Sequence, residues 1–223
     1  FVLYCIQKNW GGVENLSLIP GTVGASPMQN IGAYGIEIKE VFDHLEAINR
    51  NTNEVRKFCS EECRFGYRES IFKNDLKEQY VITHVVFRLS KSPVIHAEYG
   101  AIRQTLKEKG IESPTIKDIS DAVIEIRRSK LPDPAHIGNA GSFFKNPTVP
   151  VSIFENIKSE FPNVPGFSNE EGVKIPAAWL IEQTGWKGKR FGNIGVHQFQ
   201  PLVLVNYGGG EGNDIKELSS EIQ

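Results

Sequence analysis

The strongest structural signal in this sequence is an amphipathic segment that ends at prolines near the middle of the chain. Within residues 115–130, branched apolar side chains recur at spacings of three and four: Ile116, Ile119, Val123 and Ile126. That periodicity predicts a helix with one apolar stripe. The run 131–134 (Leu-Pro-Asp-Pro) stops it, since proline has no amide hydrogen to donate. We therefore predict a domain boundary there.

The segments on either side predict helices and strands in both halves. Residues 36–58 predict a β-hairpin whose first arm runs from Ile36 to Leu45 and whose turn lies at 49–53. Residues 80–89 are rich in β-branched and aromatic types and predict a buried strand. In the second half, residues 177–183 predict a helix behind Pro176, and residues 202–205 predict a strand. The predicted fold class is α+β.

Composition excludes several classes of function. The formal net charge is -2 and the pI is about 6.3, so no basic surplus favours nucleic acid or an anionic membrane. No apolar run approaches the roughly 18 residues of a membrane-spanning helix. The start at Phe1 has no basic region typical of a secretion signal. The chain also opens without an initiator Met, in what reads as mid-helix, so we expect a piece of a longer protein.

The cysteines and histidines predict no metal site. Three cysteines are too few for a disulfide scaffold, and Cys59 and Cys63 form a C-x3-C pair with no second ligand pair at metal spacing. The five histidines are scattered. We interpret the cysteines as reduced thiols of a cytoplasmic protein.

Three segments are candidates for chemistry. Residues 16–36 are dense in Gly, Pro, Ser and Asn, which indicates either a connecting loop or a backbone cradle for a ligand. Ser142 lies in a loop at 138–147 and is a nucleophile, a proton donor or a loop hydroxyl; the motif is not G-x-S-x-G, which weakens a hydrolase interpretation. Arg68, beside two aromatic rings, either stabilises an anionic intermediate or makes an ordinary surface salt bridge.

Taken in order, the motifs are specific. They are I-P-G-T-V-G-A-S-P-x-Q-N-I-G-A-Y-G (19–35), C-R-F-G-Y-R-E-S-I-F-K (63–73), K-L-P-D-P (130–134), G-N-A-G-S-F-F-K-N-P (138–147), A-A-W-L-I-E-Q (177–183) and V-H-Q-F-Q-P-L-V-L-V-N (196–206). Together they resemble the UDP-N-acetylenolpyruvoylglucosamine reductase family over nearly the whole chain. Tyr99-Gly100 resembles the substrate-closing loop of its type I branch.

The resemblance implies a fold and a domain order. Residues 1–133 look like the later part of an FAD-binding domain of the vanillyl-alcohol-oxidase (PCMH) type. Residues 134–223 look like a small α+β substrate-binding domain that is truncated at its C-terminal end. The family's flavin pyrophosphate loop would lie before Phe1, and its last catalytic glutamate would lie after Gln223. Phe167 stands where some members carry a tyrosine.

The resemblance also implies site residues. Arg68 matches the arginine that stabilises the enolate form of the substrate carboxylate, and Ser142 matches the proton donor. The positions that match flavin contacts are Ile19, Gly24, Ala25, Ser26, Met28, Gly32 and Ile82. The positions that match sugar-nucleotide contacts are Tyr99, Lys130, Asn146 and Gln200, with Lys130 at the diphosphate.

The implied activity is reduction of UDP-N-acetylglucosamine enolpyruvate to UDP-N-acetylmuramate by NADPH through FAD, in bacterial peptidoglycan synthesis. The implied protein is a cytoplasmic monomer. Two alternatives are another FAD oxidoreductase of the same fold, which the Arg68 and Ser142 motifs disfavour, and a non-catalytic sugar-nucleotide-binding domain.

Overall fold

The computed structural model describes residues 1–223, which form two compact units, Phe1–Arg127 and Arg128–Gln223. The helices of the first unit are α1 (Val2–Gln7), α2 (Ser60–Cys63), α3 (Gly100–Glu108) and α4 (Ile116–Lys130), whose last residues belong to the second unit. Its strands are β1 (Gly32–Ala33), β2 (Ile36–Glu37), β3 (Phe42–Asn49), β4 (Val55–Cys59) and β5 (Tyr80–Phe87). The division between units therefore falls inside α4, several residues before the predicted break.

The predicted hairpin is present with a shorter first arm. Strands β3 and β4 are antiparallel, with Leu45 opposite Phe58, and the turn lies between them as expected. The first arm begins at Phe42 because the 3₁₀-helix Ile38–Glu40 interrupts the chain before it. Glu37 and Glu40 cap that turn reciprocally, which satisfies amides that a continuous strand would have paired.

Strand β5 was predicted correctly, but its predicted burial was wrong. It pairs with β3 at the edge of a three-stranded sheet of order β4-β3-β5. Ile82 and Val85 pack against the core of Leu45 and Phe58, whereas Val81 is 53% exposed. Apolar residues on both faces of a strand do not ensure that both faces are covered.

The amphipathic helix was predicted correctly. Ile116, Ile119, Val123 and Ile126 are all buried. Ile119, Val123 and Ile126 pack against Ile102 and Leu106 of α3, so the stripe forms one side of a two-helix cluster.

The second unit is built on two small antiparallel sheets. Its strands are β6 (Gly138–Ser142), β7 (Thr148–Val149), β8 (Phe167–Asn169), β9 (Gly172–Lys174), β10 (Arg190–Phe191), β11 (Ile194–Val196) and β12 (Val203–Asn206), in the orders β10-β11-β12-β6 and β7-β9-β8. Its helices are α5 (Val151–Glu160), α6 (Ala177–Gln183) and α7 (Gly212–Ile222). The helix behind Pro176 and the strand near 203 match prediction, but residues 138–142 form a strand where a loop was expected.

Candidate active site

The glycine-rich segment of the first unit folds around a cavity. Residues Val23–Gln29 form a 3₁₀-helix, and the chain then turns back through β1 and β2. The cavity has a volume of about 340 Å³ and its walls are largely apolar, including Leu16, Ile31 and Phe87. Of the seven predicted flavin contacts, Ile19, Ala25 and Ser26 line it.

The other predicted flavin positions lie beside this cavity or apart from it. Gly24 approaches β5 closely, since a Cβ built on it would lie 3.4 Å from the carbonyl oxygen of Ile82. The carbonyl of Met28 accepts a hydrogen bond from the Ser70 hydroxyl at 2.7 Å. Gly32, Met28, Gly24 and Ile82 do not line the 340 Å³ cavity. The Ser26 hydroxyl donates to the Val23 carbonyl at 2.7 Å, so it already has a partner.

Arg68 is held in an unusual backbone conformation. Its φ is 56°, in the left-handed region that non-glycine residues rarely adopt, and such conformations cluster at functional sites. The Nη2 group donates to the Gly32 carbonyl, and Nη1 lies 3.5 Å from Oε1 of Glu37. The guanidinium carbon lies 5.2 Å from the Tyr67 ring centroid. The side chain is 28% exposed, so the cation is fixed yet accessible.

Glu37 is a partner of Arg68 that sequence reasoning missed. It faces Gly32 in the β1–β2 pair, which is joined by Tyr34 and Gly35, with φ of 51° and 87°. Positive φ at both loop residues is typical of a tight two-residue hairpin turn. The Tyr-Gly pair is the signal that could have found this hairpin, and with it the residue opposite Gly32.

Tyr99, the predicted substrate residue of the first unit, packs against a second tyrosine. It precedes α3, is 51% exposed, and meets Tyr34 edge to face with ring centroids 5.2 Å apart. The Tyr34 hydroxyl interacts electrostatically with Arg127, whose Nε donates to the Leu18 carbonyl at 3.2 Å. Burial raises the pKa of Tyr34 and lowers the pKa of Arg127. Sequence reasoning gave Arg127 no role at the site, so it missed this contact.

Ser142 of the second unit ends strand β6, opposite Val203. The ladder shifts register just before it: Val203 pairs with Ser142 but Val205 pairs with Asn139, so the β6 side carries one extra residue. Gly141 in this bulge has a φ of 76°, which explains the glycine there. A bulge turns the following side chain away from the regular pleat, and the Ser142 side chain is exposed.

Gln200 lies in the turn between β11 and β12, next to the strand that pairs with Ser142. Its backbone N–H donates to Nδ1 of His197 at 3.2 Å, and its backbone carbonyl accepts from the Val203 amide at 3.0 Å. The side-chain Oε1 is buried without a hydrogen-bond partner. His197 is 8% exposed, and burial lowers its pKa. A buried acceptor without a donor is costly unless a ligand or water satisfies it.

Asn146 and Lys130 complete the predicted set in the second unit. Oδ1 of Asn146 accepts from the Ala177 amide at 2.9 Å and so caps the start of α6. Lys130 is the last residue of α4 and is exposed. Phe167 in β8 is 59% exposed.

Cys5, Cys59 and Cys63 are free thiols, and burial raises the pKa of Cys63 to about 12. His, Cys, Asp and Glu side chains do not gather in threes as a metal site requires. None of the helices has the length and apolar character needed to cross a bilayer.

Known proteins resemble this chain in fold and in sequence. The fold is shared with the crystal structure of UDP-N-acetylenolpyruvylglucosamine reductase from Thermus caldophilus, at a TM-score of 0.67, 23% identity, and coverage of 100% of this chain and 63% of that one. Residues 133–223 match the C-terminal domain family of UDP-N-acetylenolpyruvoylglucosamine reductase.

Several relatives match the whole chain. UDP-N-acetylenolpyruvoylglucosamine reductase of Flavobacterium johnsoniae is 55% identical over 225 residues, covering 100% of this chain and 67% of the relative. The enzyme of the same name from Pseudomonas savastanoi pv. phaseolicola is 54% identical over 224 residues and is covered to 66%. The relatives place this α+β chain first in a family of reductases. It belongs to the UDP-N-acetylenolpyruvoylglucosamine reductase family, and it spans about two thirds of the length of these relatives.

Proposed function

We propose that this chain carries the reduction of UDP-N-acetylglucosamine enolpyruvate to UDP-N-acetylmuramate, with FAD as cofactor and NADPH as electron donor. The observation that carries the proposal is the accessible guanidinium of Arg68, held by the hairpin of Gly32 and Glu37 on a left-handed backbone. Such a fixed cation suits a reaction that builds negative charge on a carboxylate. Reduction of an enolpyruvyl group is a reaction of this kind.

The cavity of the first unit fits a flavin ring in size and character. Ligand sites usually enclose about 300–1,000 Å³ with mostly apolar walls, and this cavity of about 340 Å³ has such walls. Ile19, Ala25 and Ser26 would hold the cofactor from one side. Gly24 lets the backbone approach β5 closely. FAD bound there would supply hydride transfer from NADPH to the enolpyruvyl β-carbon.

Arg68 would stabilise the charge that this step creates. Negative charge develops on the substrate carboxylate, and the guanidinium offers several N–H donors in a fixed plane. Because Gly32 and Glu37 already hold two of its nitrogens, the cation needs little reorganisation when the charge appears.

Ser142 would then deliver the proton that completes the product at the α-carbon. A serine hydroxyl is a weak acid in water, so its contribution depends on placement rather than on pKa. The Gly141 bulge fixes that placement at the end of β6. One hydroxyl on one side of the substrate would also set the stereochemistry of protonation.

Four residues would hold the sugar nucleotide. Lys130 would contact the diphosphate, and Tyr99 would close over the substrate with a ring supported by Tyr34. The buried Oε1 of Gln200 would gain the donor that it lacks in the structure. Asn146 would contact the substrate while its Oδ1 caps α6.

The assignment of the two halves follows from these roles. We assign residues 1–133 to the later part of a PCMH-type FAD-binding domain and residues 134–223 to the substrate-binding domain. We further propose that the protein acts as a monomer in the bacterial cytoplasm.

A spectroscopic titration of the intact gene product tests the function. We expect flavin absorbance that NADPH bleaches and that UDP-N-acetylglucosamine enolpyruvate restores. Protein that stays colourless with added FAD would overturn the reductase function. Protein that binds the sugar nucleotide, measured by calorimetry, yet never reoxidises its flavin would instead be a non-catalytic binding domain.

A further inference from the structure

The hairpin of β1 and β2 offers two oxygens to one guanidinium. Gly32 and Glu37 are direct cross-strand partners. The carbonyl of Gly32 accepts from Nη2 of Arg68, and Oε1 of Glu37 lies 3.5 Å from Nη1. Arg68 lies in a different segment of the chain, and the hairpin binds its side chain through these two oxygens.

Glu37 is itself fixed by partners other than Arg68. Its Oε2 accepts from Nδ2 of Asn30 at 3.0 Å and lies 3.0 Å from Nζ of Lys39. Asn30 is fully buried, and the same Nδ2 also donates to the carbonyl of Gly66, two residues before Arg68. Asn30 therefore ties the carboxylate to the loop that carries the arginine.

We propose that Glu37 is a positioning residue for Arg68 and sets the direction in which its guanidinium faces the substrate. The inference rests on the proposed function, since it takes Arg68 as the group that stabilises the substrate carboxylate. A guanidinium has five N–H donors. Because Glu37 holds Nη1 and the Gly32 carbonyl holds Nη2, the plane of the guanidinium is fixed. Its remaining N–H groups can then face the substrate in one orientation. A surface arginine without such a partner samples many rotamers and must be ordered at each turnover.

An ordinary structural ion pair is the competing explanation, and a matched control separates the two. Arg64 lies in the same segment as Arg68, also has a positive φ of 46°, and pairs with Asp75. Asp75→Asn therefore removes a carboxylate from a neighbouring arginine without touching Arg68. Glu37→Gln makes the same chemical change at Arg68.

The test compares half-reactions by stopped-flow absorbance in the intact gene product. We expect Glu37→Gln to leave flavin reduction by NADPH unchanged and to slow reoxidation by UDP-N-acetylglucosamine enolpyruvate by about 10- to 100-fold, the effect of a misplaced group. Asp75→Asn should change neither rate. In an Arg68→Lys background, Glu37→Gln should add little further slowing, because coupled residues are not additive.

A second readout does not depend on turnover. NMR of the Arg68 guanidinium should detect slow rotation about the Nε–Cζ bond in the unmodified protein and faster rotation in Glu37→Gln. If that variant does not fold, Glu37→Asp serves instead, with the carboxylate drawn back from Nη1.

The outcomes are distinguishable. Slow reoxidation in Arg68→Lys with normal reoxidation in Glu37→Gln overturns the inference and leaves the function intact. Normal reoxidation in Arg68→Lys overturns both the role of Arg68 and the inference. Equal slowing in Glu37→Gln and Asp75→Asn reduces Glu37 to a structural ion pair.

Discussion

Gly32 lies directly against the guanidinium of Arg68. Its carbonyl accepts a hydrogen bond from Nη2, and a Cβ built on it would lie 2.8 Å from Nη1 and 2.8 Å from the Ile36 carbonyl oxygen. Neither neighbour can move freely, since one is backbone and the other is held by Glu37. Gly32 therefore contacts Arg68 at a position that the resemblance assigns to the flavin.

Gly32→Ala should therefore destabilise the first unit and displace Arg68. We expect a loss of about 1–3 kcal/mol in the free energy of unfolding, typical of overpacking, measured by urea denaturation. Gly66→Ala is the control, because its Cβ would lie 3.4 Å from the Glu69 Cβ, an ordinary contact. Equal losses in the two variants would contradict the close approach at Gly32.

Ser142→Ala should separate the two half-reactions. We expect normal flavin reduction by NADPH and a rate of substrate reduction lower by about 10²- to 10⁴-fold, the usual range for a lost general acid. Stopped-flow absorbance measures both rates. Ser168→Ala, at another exposed strand serine of the same unit, should change neither. Equal slowing of both half-reactions would rule out the proton-donor role.

Asn146 combines a structural and a binding role that two substitutions can separate. Asn146→Ala removes the oxygen that caps α6 and should cost about 0.5–2 kcal/mol of unfolding free energy, as a lost helix cap does. Asn146→Asp keeps a capping oxygen and should retain most of the stability. Because it adds a negative charge beside a bound ligand that is itself anionic, it should raise KM for the sugar nucleotide.

Thermal unfolding and steady-state kinetics of both Asn146 variants check this. If the Asp variant loses as much stability as the Ala variant, the oxygen at Asn146 is not the cap. If its KM is unchanged, Asn146 does not lie near the substrate.

Local periodicity was enough to predict the parts of the fold that depend on near neighbours. The stripe of α4 and the turn between β3 and β4 follow from residues a few positions apart. Strand β6 was missed because its glycines suggested a loop, while its pairing partner β12 lies far along the chain. The exposed face of β5 was missed because composition indicates strand preference and says little about which faces are covered.

The candidate site likewise contains residues that local sequence could predict and residues that it could not. Arg68 and Ser142 were predicted as site residues because they lie within long ordered motifs. Glu37 and the Tyr34–Arg127 contact were missed because each joins segments that only the folded chain brings together. Side chains that position a catalytic group carry no local pattern of their own.

His197 should make stability depend on pH in a narrow window. Burial lowers the pKa of its imidazole below the ordinary value of 6.5, and its Nδ1 accepts the amide hydrogen of Gln200. Protonation would place a second hydrogen against that amide. The unfolded state therefore binds the proton more readily than the folded state. Stability is complete above about pH 6.5 and falls as the pH is lowered from there through the folded pKa.

Urea unfolding of the second unit between pH 7.5 and 5 would measure this slope. Carboxyl groups whose pKa is lowered, such as Glu62 with a pKa of about 2, titrate below that window. His197→Asn supplies an acceptor oxygen near the Gln200 amide and cannot titrate, so its unfolding free energy should be flatter across the window. His136→Asn, at a histidine whose side chain is 82% exposed, should keep the original slope. An unchanged slope in His197→Asn would show that the acid sensitivity arises at another group.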